Sequence, residues 1–475
     1  MDVHARLNAL EPEMLDALKM LVSIKSVEGK AAPGAPYGEG PAKALKAALE
    51  LAEKLGFKTH NMDGHLGWAE YGEGDEMVAV LGHLDVVPEG DGWTKCKPYE
   101  PTVADGRVYG RGTVDDKGPV VAALFGLKAL ADEGWKPSRR VRMLFGCNEE
   151  TGSDDMKYYM ENGGEVPVCG FTPDGSYPLI NGEKGIAITT FEKKLVQRGD
   201  WKLLSLRGGS AANIVPFKAV AEIACPEDVS VLAELSYPET IHVTPTAAGL
   251  HIEADGVSAH GSLPEKGENA IGRLCQFLKQ LPLCGDAADA VALIADKIGM
   301  EVNGQGFGID LQDELSGLLS FNLGVMDCDE GKILPARRAG EPEEYQGATA
   351  LRMTINYRWP VTFHYADCGP KLNDALAAAG WKVVDERTDE ALYWPADSEM
   401  VKKLLAVYEA HTGDTSGAIC IGGGTYAKSI PNILAFGPGF PGEELKEHEP
   451  DEFIDLDHFY TNAHIYADAI RALAE

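Results

Sequence analysis

Two histidines and four carboxylates in this chain fall where a predicted strand gives way to a loop: His83, Asp115, Glu149, Glu150, Asp174 and His448. His83 ends the apolar run that begins at Met77. Glu149 and Glu150 follow a strand predicted over 139–147, and Asp174 follows Phe171-Thr172. Loops at the carboxyl ends of parallel strands meet at one sheet edge. Imidazoles and carboxylates gathered without a thiol suit a dinuclear hydrolytic site better than a structural one. Two ions about 3.5–4 Å apart need a shared carboxylate and a shared water. Asp115, in the constrained loop between Gly112 and Gly118, is the expected bridge. His83 and Asp174 would complete one ion, and Glu150 and His448 the other. Glu149, next to a ligand but separate from it, is placed as a general base takes its proton. Asp85, two residues beyond His83, is expected to stand behind its ring and orient it.

Taken singly, each feature has an ordinary explanation. A His-x-Asp at a strand end can be a satisfied core histidine. An Asp-Asp pair can be a surface turn, and a Glu-Glu pair can answer a helix dipole. The functional reading rests on their joint occurrence, in order, at successive strand ends.

The elements that must position these groups follow from periodicity. Leu7, Leu10, Met14, Leu18 and Leu21 predict an opening amphipathic helix, and Pro41 opens a second that Gly56 stops. Val120, Ala123, Leu124, Leu127 and Leu130 give the helix after Asp116 its apolar stripe, and Ser153 is expected to cap a helix over 154–161. Strands alternating with helices imply an α/β domain with a mostly parallel sheet. After residue 185 the texture changes to short β-branched strands over 186–194 and 349–357, with helices over 270–281 and 372–379. The domain expectation is a catalytic part over 1–185, an inserted α+β domain over 186–390 with a two-fold internal repeat, and a second catalytic part over 391–475.

The 475 residues are too many for one compact core. A net charge of −31 argues against a nucleic-acid partner. Nine cysteines, an odd number with no C-x-x-C pair, argue against a disulfide framework or a thiolate metal site. No cationic leader and no membrane-spanning apolar stretch is read, so the expected compartment is the cytoplasm.

Gly82-His83-Leu84-Asp85-Val86-Val87-Pro88, Arg111-Gly112-Thr113-Val114-Asp115-Asp116-Lys117-Gly118-Pro119, Glu149-Glu150-Thr151-Gly152-Ser153 and Asp174-Gly175 resemble the signatures of the dinuclear zinc peptidases. That family includes carnosinases, aminoacylases and succinyl-diaminopimelate desuccinylases. The resemblance extends through residues 210–216, 256–262, 313–317 and 423–427 and is strongest to the bacterial PepV-type dipeptidases. It implies a phosphorylase/hydrolase-like α/β catalytic domain with an inserted α+β lid. It also implies a monomeric metallo-dipeptidase acting on unblocked dipeptides with two divalent ions, zinc first, manganese or cobalt otherwise. The ligand sets would be those above, the Asp115–Asp116 peptide cis, and His260 an oxyanion donor. Asn213 and Arg358 would bind substrate, Arg358 by forking onto its free carboxylate, and Gly423, Gly424 and Thr425 would offer backbone N–H groups. A substrate amino group would pair with Asp116 or Asp174. Lys428 departs from the arginine usual in PepV-type chains after Gly-Thr-Tyr-Ala, keeping charge but not the planar fork. The alternatives are an N-acyl-amino-acid deacylase using the same ions and a non-catalytic metal-dependent binding protein on the same fold.

Overall fold

The structure is a computed structural model that describes residues 2–226, 230–329, 331–334, 344–444 and 446–475. The chain divides into two compact units: Met1–Asn181 with Trp394–Ile419 and Gly424–Glu475, and Gly182–Tyr393 with Cys420–Gly423.

In the first unit, six strands lie side by side in the order Lys58–Met62, Leu66–Tyr71, Arg140–Gly146, Met77–His83, Cys169–Thr172 and Ile433–Ala435. The last four run parallel, and the first two are antiparallel. The Met77–His83 strand is buried at every residue, as a strand with neighbours on both sides and helices over it must be. Its register pairs His83 with Gly146. His83, the Glu149–Thr151 turn and Asp174 therefore leave the sheet at one edge, as their spacing predicts.

Helices Lys117–Asp132 and Leu456–Ala474 pack on Met77–His83, and Val3–Val22 packs on both. The Lys117–Asp132 helix is buried on nearly every residue, so its sequence is apolar almost all round. A Cβ on Gly126 would lie 3.0 Å from the Ala467 amide, so the two long helices cross with backbones nearly touching. Helix Glu39–Lys54 covers Lys58–Met62, Leu66–Tyr71 and Arg140–Gly146.

One sequence expectation fails here. Ser153 does stand at the start of Asp154–Glu161, but its backbone is left-handed (φ 58°) and its hydroxyl makes no capping bond. Asn148 caps instead: its Oδ1 accepts from the Asp154 amide at 3.0 Å. The turn folds back far enough for a residue six positions earlier to reach the helix start.

The second unit is built on one eight-stranded antiparallel sheet: Ile241–Thr246, Gly249–Asp255, Lys218–Ala224, Lys202–Gly208, Ser320–Cys328, Ala350–Trp359, Gly185–Lys194, Lys382–Asp389. Helix Ala270–Leu278 packs against one end of this sheet and Tyr365–Ala378 against the other. The alternating burial of Gly185–Lys194 marks a sheet with one covered face. Among the described residues no helix is long and apolar enough to cross a membrane.

Candidate metal centre

The sheet edge supplies His83, Glu149, Glu150 and Asp174, whereas Asp115 comes from the turn before helix Lys117–Asp132 and His448 from the turn before Phe453–Asp455, neither at an end of a parallel strand as expected. His83 Nε2 stands 2.9 Å from Asp115 Oδ1, and His448 Nε2 stands 2.9 Å from Asp115 Oδ2. The two oxygens of one carboxylate are thus addressed by two different imidazoles. His448 Nε2 also lies 3.1 Å from Glu150 Oε2. Ligand atoms of His83, Asp115 and Glu150 fall within 4.8 Å of one another, as do those of His83, Glu149 and Asp174. His83 Nε2 is fully buried with no hydrogen-bond partner despite its short approach to Asp115. The proximity is that of two donors facing a common point rather than of a donor facing an acceptor. Two imidazoles and four carboxylates, one shared, fit a pair of divalent cations.

These groups perturb one another strongly. Burial pushes the Glu149 carboxyl well above its usual range, and the charge of Asp174 adds to it. Burial first, then the charge of Asp115, brings Glu150 to about 7. Burial brings Asp174 to about 6. Burial would raise Asp115 too, but the imidazoles of His448 and His83 set against it outweigh burial and hold this carboxylate below its usual range. Hydrogen bonding to Asp115 and Glu150 lifts His448 to about 11.

The surrounding atoms fix this geometry. Asp85 does stand behind His83, with Oδ1 3.5 Å from Nδ1. Its hydrogen bonds go elsewhere, however: its two oxygens accept from the amides of Glu149 (3.2 Å) and Glu150 (3.1 Å). The bond behind the imidazole comes from the Asp85 carbonyl, 3.0 Å from Nδ1. One residue thus sets the His83 ring and the Glu149-Glu150 turn. That turn is a single 3₁₀ turn, Glu149–Thr151. Neighbouring side chains diverge by about 120° on such a turn, so Glu149 and Glu150 leave it in different directions.

The Asp115–Asp116 peptide is cis. Asp116 is fully buried, and its Oδ2 accepts from the His83 amide at 3.1 Å. It therefore has no surface to offer a substrate amine, and that expectation is withdrawn for Asp116. Gly82 is required beside it, since a Cβ there would lie 2.6 Å from Asp116 Oδ2. Lys117 is buried as well and donates to the carbonyls of Leu21 (3.0 Å) and Ile24 (2.8 Å). Burial brings its pKa down to about 7.

Glu452 escaped the sequence reading. It is fully buried, paired at 2.6 Å with the equally buried Arg111. Its carboxylate accepts from the amides of Gly112 (3.0 Å) and Val114 (3.1 Å), with Asp115 N at 3.4 Å. A residue four positions after His448 thus clamps the loop that carries Asp115. The signal available was a carboxylate in an otherwise apolar strand start, Glu452-Phe453-Ile454, matched by a lone arginine in a glycine-rich loop. Glu447 was also passed over. Its surface is exposed, yet crowding around the carboxyl and the charges of Asp115 and Asp174 raise it to about 8.

The second unit holds its own polar group. His260 and Asn213 are exposed and lie on paired backbone: Gly261 N donates to Asn213 O (2.6 Å), and Ile214 bridges His260. His260 Nδ1 is 2.6 Å from Ser262 Oγ. Arg358 is 5% exposed, bonding Gly422 O (2.6 Å) and Asn356 Oδ1 (3.1 Å). Asn356 sits opposite Asn322. Asn322 in turn donates to the carbonyls of Ala212 (2.9 Å) and Ile214 (3.0 Å), the residues flanking Asn213. The sequence reading missed both asparagines, although each interrupts an apolar strand. Gly423 closes this unit's part of the glycine run. Gly424 and Thr425 belong to the first unit, where Thr425 Oγ1 accepts from Ala427 N (3.1 Å) and caps the turn Tyr426–Ser429. Lys428 is half-buried in that turn.

Comparison with known proteins agrees with this architecture. The sequence pattern of peptidase family M20/M25/M40 matches residues 79–472. A Bacillus subtilis (strain 168) protein named "Putative dipeptidase YtjP" is 36% identical over 464 residues, covering 94% of each chain. Human carnosine dipeptidase 1 superposes with a TM-score of 0.58 at 15% identity, covering 100% of this chain and 98% of that one. A Bacillus subtilis protein described as a dinuclear metal binding peptidase superposes with a TM-score of 0.52 at 10% identity, covering 98% and 99%. The extent of the sequence match and the identity to the bacterial relative place this chain in peptidase family M20/M25/M40, a family of metal-dependent peptidases.

Proposed function

We propose that this chain is a metal-dependent dipeptidase, cleaving unblocked dipeptides with two divalent ions, zinc foremost. The observation that carries the reading is the split of Asp115, with Oδ1 toward His83 and Oδ2 toward His448. Two sites that share a carboxylate follow: His83, Asp115 and Asp174 for one ion, and Asp115, Glu150 and His448 for the other. When bound, such ions supply carbonyl polarisation and a water acidic near neutral pH.

The chain's own residues supply the rest. Glu149 takes the proton of the attacking water and hands it to the departing amine. Its carboxyl is biased by burial toward holding a proton, as an acid–base shuttle must be. Asp85 aims Glu149 and Glu150 through their amides. The proposal includes His260 as an oxyanion donor and Asn213 and Arg358 as substrate-binding residues. It also includes Gly423, Gly424 and Thr425 as donors to a carboxylate, and residues 186–390 as the lid of a monomeric cytoplasmic enzyme.

The test is hydrolysis of Ala-His, β-Ala-His, Leu-Leu, Ala-Ala-Ala, N-acetyl-Met and N-succinyl-diaminopimelate, with and without chelator. Dipeptides alone are cleaved, chelator abolishes the reaction, and Glu149→Gln lowers kcat by roughly 10²–10⁴-fold with both ions retained. Cleavage of the acylated substrates alone would replace the dipeptidase reading with the deacylase one. Metal binding without hydrolysis of any substrate would favour the non-catalytic protein.

A further inference from the structure

A second gathering of metal-capable side chains lies in the first unit among helices that contribute no residue to the sites above. His4 stands in the first turn of Val3–Val22, and His411 in the last turn of Glu399–Thr412. His464 and Asp468 are one turn apart on Leu456–Ala474. His411 Nε2 is 2.8 Å and His4 Nε2 is 3.3 Å from the same oxygen, Asp468 Oδ2. The ligand atoms of His4, His411 and Asp468 fall within 4.8 Å of one another. Ligands on a tetrahedral ion with bonds of about 2.0–2.1 Å lie roughly 3.3 Å apart, so this set closes on an ion with little movement.

Further contacts orient the set. Arg471 Nη2 donates to the other Asp468 oxygen, Oδ1, at 2.6 Å, leaving Oδ2 toward the imidazoles. His464 Nε2 lies 3.1 Å from Asn8 Oδ1, a carbonyl that can only accept, so this nitrogen carries the hydrogen. His464 Nδ1 is then a lone pair and accepts from His4 Nδ1, 2.7 Å away. The relay Asn8–His464–His4 puts the His4 ring hydrogen on Nδ1. Its Nε2 is left to face Asp468 as a metal-binding lone pair, the arrangement in which a ligand histidine donates its far N–H to a fixed acceptor. His411 adds the negative end of its helix dipole, which favours a cation.

We propose that His4, His411 and Asp468 form a separate site for a zinc-like divalent ion, with His464 positioning His4. The ion would join three helices from distant parts of the chain, the first from its start and the other two from its last part. Such an ion acts on folding, since its ligands converge only in the folded unit. The inference does not depend on the catalytic reading.

The experiment is zinc stoichiometry by equilibrium dialysis of tag-free, chelator-stripped protein at micromolar free zinc, with thermal melting of the same samples. Asp468→Asn and His4→Gln should each bind one ion fewer than the unaltered chain and lose part of the zinc-dependent rise in Tm. Hydrolysis at saturating metal should stay within twofold of the unaltered chain. His448→Ala, which breaks the catalytic pair instead, should keep the ion that Asp468→Asn loses. If Asp468→Asn fails to fold, the half-exposed His4→Gln carries the test. Equal zinc counts and equal zinc-dependent Tm rises in His4→Gln, or in a folded Asp468→Asn, and the unaltered chain would overturn the proposal, the cluster then being an imidazolium–carboxylate network.

Discussion

The chemistry-bearing residues of the two units are held by opposite means. In the first unit the candidate ligands are side chains wired to main-chain amides: Asp85 to Glu149 and Glu150, Asp116 to His83, Glu452 to the Asp115 loop. Most of that wiring is buried. In the second unit the exposed pair His260 and Asn213 is held by its own backbone, propped from beneath by Asn322. The difference matches two tasks. Cation ligands must be placed to within about 0.5 Å before the ion arrives. Groups that contact a substrate are better borne on loops over a rigid sheet.

If the first unit is rigid by wiring, removing one wire should cost most. Glu452→Gln leaves Arg111 buried without its counter-charge. Breaking a buried ion pair by removing one partner costs about 3–5 kcal/mol, against at most ~1 for an exposed pair. Chemical denaturation of the metal-free chain should register a loss of that size, and zinc should bind more weakly as the Asp115 loop loosens. A loss near the exposed-pair value would mean that the clamp is ornamental and that the cations themselves order the loop.

The second unit should respond in the reverse way. His260→Ala removes one exposed side chain, with its bond to Ser262 Oγ, from a loop also held by main-chain bonds and by Asn322. Stability and metal content should stay unchanged, while kcat falls by roughly 10²–10³-fold, the usual cost of one oxyanion donor. A fall in metal content or in the unfolding midpoint, with kcat preserved, would assign His260 a structural role instead.

The same contrast explains what could be read from sequence. The parallel sheet, the helix faces and the placing of His83, Glu149, Glu150 and Asp174 at one sheet edge were legible because period and position carry them: Met77–His83 is apolar throughout and ends in its histidine. The wiring was not legible. Glu452 meets Arg111 across 341 positions, and Asn322 reaches Ala212 across 110, and no local pattern encodes either pairing. Asn148 displacing Ser153 as the cap is the same lesson at short range. A strong N-cap residue was present, but the turn geometry gave the position to another residue: Asp85 accepts from the Glu149 and Glu150 amides, and the Asp155 carboxylate accepts from those of Cys147 (2.6 Å) and Asn148 (3.0 Å).

A smaller effect separates the charges of the cluster from its shape. In the metal-free chain, bonding to Asp115 and Glu150 raises His448 to about 11, so this imidazole carries a proton through the neutral range. An incoming cation must displace it, and affinity should rise with pH, by up to tenfold per unit for each proton released. Below about 7 Glu150 also becomes protonated, and Asp174 follows near 6, because burial raises both. The dependence should therefore steepen as pH falls from 7 toward 5.5, with more protons displaced per ion. Competition against a fluorescent chelator, repeated in buffers of different ionisation enthalpy by calorimetry, measures both slope and proton release. A flat affinity between pH 6 and 8 would show that His448 is already neutral and these carboxylates already ionised without metal. Their convergence would then rest on the backbone clamps alone, with no contribution from shared protons.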